Sequence, residues 1–111
     1  MTMPTFILLT RVSPEALRST HAVETLERQA MGAVREQCPQ VEWLHSWALL
    51  GPYDYLDVFR APDIETATKV ATIIRIAGHA HTEIWAATEW ARFKEIVRSL
   101  PELAGLGVVS V

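Results

Sequence analysis

Runs of apolar and polar positions divide the chain into alternating short and long elements. Phe6 to Val12 (FILLTRV) is apolar and β-prone and predicts a strand. Ser13-Pro14-Glu15 then has the chemistry of a helix start: a hydroxyl for the free amides, a proline preset for the first turn and a carboxylate at the positive dipole end. Val23, Leu26, Ala30 and Val34 follow at helical spacing, with a break near Ser19 to His21, and Pro39 ends the run. Val41 to Leu50 and Tyr53 to Arg60 read as two strands of a hairpin around Gly51-Pro52. Asp63 is the expected cap of a second helix with a buried stripe of Ala67, Val70, Ala71 and Ile74, closed by Gly78 in the left-handed position. His79 to Ala87 predicts a fourth strand. Thr88 should cap a last helix carrying Trp90, Phe93 and Val97, which Pro101 stops.

The order is β-α-β-β-α-β with an added helix and tail. It predicts an α+β, ferredoxin-like fold: a four-stranded antiparallel sheet with two helices on one face. All of residues 1–111 is expected to form one domain, with a core over about 4–98 and a tail over 101–111. The apolar tail is expected to pack on a sheet edge, its own or a partner's.

Alternation assigns side chains to sheet faces. Leu44, Leu56, Val58 and Ile84 suit the side under the helices. Trp43, His45, Trp47, Tyr55, Asp57, Phe59, His81, Glu83, Trp85 and Arg11 are assigned to the opposite, open side. So much aromatic surface predicts an interface or a ligand groove. Closure of two sheets into a homodimer, or a higher homo-oligomer, explains it.

Composition narrows the function. Ten Lys and Arg against 13 Asp and Glu give a formal charge of −3, and half the residues are hydrophobic. A mildly acidic chain lacks the basic footprint of a nucleic-acid binder. It has no apolar run long enough for a transmembrane helix. Met1 to Pro4 offers no basic start for a signal peptide, so a cytoplasmic protein is expected. A single cysteine, Cys38, excludes an internal disulfide. No nucleotide or flavin fingerprint is present, and no cofactor is expected.

The segments PTFILLTRVSPE, ALLGPYDYLDVFRAPDIETA and HTEIWAATEWARF resemble the GYD-domain family of small bacterial and archaeal proteins, through Gly51-Pro52-Tyr53-Asp54 and Ala61-Pro62-Asp63. The resemblance covers about residues 4 to 95. It implies a dimeric α/β-barrel assembly, within a wider group that includes cofactor-free monooxygenases, haem-degrading enzymes, isomerases and stress-response proteins. It carries over no reaction and no catalytic residue. His81 stands where relatives often have Arg, and His45 and Asp57 replace blander residues.

Candidate chemistry gathers on the open face. His45, Asp57, His81 and Glu83 could act as acid–base groups, a His beside a carboxylate being a general base with a fixed tautomer. Arg11, Trp43, Trp47, Tyr55 and Trp85 would bind a ligand. His45 and His81 should lie about 14 Å apart, three strand spacings across the sheet. Gly51-Pro52-Tyr53-Asp54 is read chiefly as turn chemistry, with Asp54 accepting backbone amides and the Tyr53 hydroxyl finding a partner. The first reading is therefore a dimeric protein that binds a small aromatic or apolar ligand in a pocket on the open sheet face. A cofactor-free small-molecule enzyme, monooxygenase, isomerase or cyclase-like, is the alternative. A divalent-metal protein using the His and carboxylate groups is the third.

Overall fold

The computed structural model describes residues 3–102. Its elements are β1 (Thr5–Val12), a 3-10 turn (Pro14–Leu17), α1 (Thr20–Gln37), β2 (Glu42–Ala48), β3 (Tyr55–Arg60), α2 (Ile64–Gly78), β4 (Ala80–Ala87) and α3 (Trp90–Ser99). The strands form one antiparallel sheet in the order β2-β3-β1-β4. This is the ferredoxin-like arrangement that the element order predicts.

β1 takes a central place because it is apolar on both faces. Phe6, Leu8 and Thr10 point to one side and Leu9 to the other, and all four are buried. α1 and α2 cover the first side. α2 offers the small stripe Ala67, Val70, Ala71 and Ile74, and α1 adds Ala30 and Val34, so the helices approach closely over Leu8 and Phe59. Beneath them an aromatic ladder crosses three strands. Phe6 stacks on Phe59 at 5.6 Å, and Phe59 on Trp43 at 5.2 Å with nearly parallel rings.

The helix starts follow their caps. Ser13 makes no side-chain cap bond, and only a 3-10 turn forms after it. The long helix begins after Ser19, whose Oγ accepts from the Ala22 amide at 3.1 Å. Asp63 Oδ1 accepts from the Thr66 amide at 2.8 Å, which holds its carboxyl below the usual range. At the end of α2 the left-handed residue is His79, with φ 49°, rather than Gly78, because the helix runs one residue further. α3 follows Glu89 rather than Thr88, without a side-chain cap. Arg60 Nη2 ties Glu89 Oε1 to β3 at 2.9 Å, and the apolar side chains Trp90, Phe93, Ile96 and Val97 remain exposed. The expected packing of the tail concerns residues that lie beyond position 102, outside those described.

Directly opposed residues share a sheet face. Leu8 opposes both Asp57 and Ile84, so Tyr55, Asp57 and Phe59 lie under the helices, and Leu56 and Val58 lie on the open face. This reverses the expected assignment of β3. Its sequence carries large apolar groups at both parities, so alternation alone leaves its register undetermined. Trp43 is also corrected. A bulge between Trp43 and His45 places Trp43 opposite Phe59 on the helix side, while His45 and Trp47 keep the open side.

Candidate functional site

The sequence-predicted residues divide between two faces. Arg11, His45, Trp47, His81, Glu83 and Trp85 stand on the open face, and Trp43, Tyr55 and Asp57 on the other. His45 on β2 and His81 on β4 occupy opposite sheet edges. The supposed pairing of either histidine with Asp57 is therefore lost, since the sheet lies between them. Among the described residues no three His, Cys, Asp or Glu side chains come together as a cation site.

On the open face, the loop between β2 and β3 folds over the sheet. The Tyr53 hydroxyl donates to Glu83 Oε2, and Trp85 Nε1 donates to Oε1 at 2.8 Å. The Tyr53 bond, followed by that from Trp85, holds the Glu83 carboxyl below its ordinary range. The same bond raises the Tyr53 phenol. Arg11 lies 5.1 Å from the Tyr53 ring centroid and donates through Nε to the Pro52 carbonyl at 2.9 Å. Asp54 Oδ2 accepts from the Val12 amide at 2.9 Å, and the Asp54 amide donates to the Thr10 carbonyl at 2.8 Å. Gly51-Pro52-Tyr53-Asp54 is thus a clasp joining the hairpin to β1 and β4. Beside it the His45 and Trp47 rings stack at 5.0 Å, and Trp47 and Trp85 are each about half exposed, at 51% and 50%.

The other face holds a cavity of about 440 Å³ between α1 and the sheet. It is left open by small side chains: Thr10, Ser46 and Ala48 on the sheet and Ala30 on α1. Leu26 and Met31 give it an apolar roof. Its polar centre is Asp57. Ser46 Oγ donates to Asp57 Oδ1 at 2.5 Å, and Trp43 Nε1 donates to the same oxygen at 3.2 Å and to Ser46 Oγ at 2.9 Å. Burial pushes the Asp57 carboxyl up. The Ser46 and Trp43 bonds oppose this, and the nearby Glu27 carboxylate adds to it. Tyr55 lines the cavity, and its phenol is also raised, by burial first and by Asp54 second.

Asp57 stands out in the sequence as a lone charge between Leu56 and Val58, but it lies on the helix side of the sheet and not on the open side that alternation suggests. Ser46 and Glu27 look like ordinary surface residues in the sequence, until the strand pairing and the seating of α1 bring them to Asp57. Such an arrangement can bind a small molecule through an apolar wall and one anchored carboxylate.

No helix among the described residues is long and apolar enough to cross a membrane. The fold is similar to that of the Leucine response regulatory protein LrpA of Mycobacterium tuberculosis, at 13% identity and TM-score 0.52, over 78% of this chain and 51% of that one. A point mutant of Rv3291c is similar to the same degree, at 11% identity and TM-score 0.52, over 78% of this chain and 50% of that one. The chain thus spans about half the length of these structures, and at such identities the likeness concerns the fold alone. No curated protein matches the chain. The GYD domain matches residues 6–97, from the second residue of β1 into α3, and the clasp that gives the signature its structural sense lies within it. The chain belongs to the GYD domain family.

Proposed function

We propose that this GYD domain binds a small, largely apolar or aromatic molecule in the cavity between α1 and the sheet. One observation carries the reading: an apolar cavity of about 440 Å³ that converges on a single anchored carboxylate, Asp57. Sites for small molecules have this form, concave and mostly apolar with few fixed polar groups. The volume suits a molecule of one or two rings.

The same protein is a homodimer in this reading, closed through the open sheet face. Trp47 and Trp85 each leave about half their surface in water, and Leu56 and Val58 lie between them on the same face. A second sheet placed there would remove that apolar area from water. The ligand cavity lies on the opposite face, with Trp47 of β2 at the edge shared by the two.

The neutral fluorophore N-phenyl-1-naphthylamine tests the ligand site. Saturable enhancement of its emission is expected, together with loss of that enhancement in Met31→Trp, which fills the roof of the cavity. Absence of saturable binding, or binding unchanged in Met31→Trp, would refute the assignment.

A further inference from the structure

We infer that the ligand of this cavity carries a protonated amine, and that the ammonium group is received by Asp57 Oδ2. The inference rests on the reading of the cavity as a ligand site and adds the charge of the ligand to it.

Hydrogen-bond geometry comes first. Both side-chain donors near Asp57, Ser46 Oγ and Trp43 Nε1, end on Oδ1. Among the described residues Oδ2 accepts no hydrogen bond, although Asp57 lines the cavity. A neutral apolar ligand that displaced water from Oδ2 would leave a charged acceptor unpaired, which is costly. An ammonium group would satisfy it with a charge-assisted bond.

The charge around the cavity points the same way. Glu27 of α1 lines the space opposite the sheet and lies close enough to Asp57 to disfavour its ionised form. Two carboxylates with partly apolar surroundings repel an anion and lower the cost of burying a cation. The opposing group is Arg35, the basic side chain among the cavity-lining residues. It lies eight residues beyond Glu27 on α1, about 12 Å along the helix axis. No ion pair joins Arg35 to Asp57 or Glu27 among the described residues. Tyr55 and Trp43 add aromatic groups near the carboxylate, which favour an organic cation over a simple metal ion.

The experiment is calorimetric titration with three probes that share a ring: 2-phenylethylamine, 2-phenylethanol and phenylacetate. The amine should bind at least about tenfold more tightly than the alcohol, and phenylacetate most weakly. Asp57→Asn should erase the advantage of the amine over the alcohol. Glu27→Gln, a change on an exposed helix position, should reduce the advantage less and keeps the test independent of any folding defect in the first variant. Equal or tighter binding of the alcohol overturns the amine assignment and leaves the cavity reading standing. Preference for phenylacetate overturns it too, and would mean that Arg35 sets the sign of the site. If no probe binds, the amine assignment falls, and the fluorophore titration alone then decides the cavity reading.

Discussion

The Tyr53 hydroxyl donates to the Glu83 carboxylate across thirty positions of sequence, from the loop after β2 to β4 on the far side of β1. The tyrosine of the signature is therefore a strut laid over the sheet, with Arg11 against its ring and Trp85 holding the other carboxylate oxygen. Asp54 completes the clasp by continuing the backbone pairing with β1 at Thr10. These contacts assign the signature a structural task that turn chemistry alone does not describe.

Tyr53→Phe should lower the melting temperature by a few degrees near neutral pH. Glu83 is held below its ordinary value of 4.5, so its share of stability is present above that pH and is lost as the pH falls through the folded-state value. Tyr53 is raised above 10.0, so its share is present below pH 10.0 and is lost as the pH rises through the folded-state value. Thermal melts across pH should show the largest difference between wild type and variant on the plateau between these limits. A constant difference at every pH would mean that the bond to Glu83 is not its source.

His79→Gly should stabilise the protein by up to about 1 kcal/mol, because His79 is a side-chain-bearing residue at φ 49°, in the left-handed region. Its ring is exposed, and its carbonyl, which accepts from the Ser13 amide at 3.3 Å, is kept in the variant. Denaturant titration measures the gain. A loss of stability would show that the imidazole contributes more than the backbone strain costs.

Much of the fold is legible in the residues themselves. Phe6 to Leu9 has no polar side and must sit in mid-sheet. The α2 stripe has helical spacing and small side chains, and Asp63 has the chemistry of its cap. The candidate site is less legible, for two physical reasons. β3 presents Tyr55 and Phe59 on one parity and Leu56 and Val58 on the other, so only its partner strands decide which side faces the helices. The bulge after Trp43 shifts one edge strand by a residue and moves the indole beneath the helices, a displacement that no composition rule signals. The cavity itself is a tertiary product of small residues on two separate elements.

Trp47→Glu should break the proposed homodimer. Trp47 is half exposed on the open face, opposite Leu56 in the strand pairing, and a carboxylate there would be buried without a partner in a sheet-to-sheet interface. Sedimentation or light scattering at micromolar concentration should show wild-type dimers and, in the variant, a dissociation constant raised by about two orders of magnitude or more. A wild-type monomer under these conditions would remove the dimer from the account and leave the cavity on the other face untouched.

Asp57→Asn should raise the stability of the ligand-free protein at neutral pH. The Asp57 carboxyl is raised chiefly by burial, so the folded state binds its proton more tightly than the unfolded state does. A group of this kind contributes most below its unfolded value of 3.8 and loses that contribution as the pH rises through the folded-state value. Asparagine has no charge to bury, and its amide oxygen can still accept from Ser46 and Trp43. The titratable groups that line the cavity with Asp57 are Glu27 and Arg35 from α1 and Tyr55 from the same sheet face. Of these Glu27 opposes its ionisation. The gain should be about 1 kcal/mol or less, because the carboxylate keeps part of its water. It should shrink below pH 3.8, where Asp57 is protonated in both states. Melts of the two proteins from acid to neutral pH measure the difference directly. A variant less stable than wild type at neutral pH would show that Ser46 and Trp43 hold the carboxylate more firmly than burial disfavours it. The site would then be built around the ionised group even with no ligand bound.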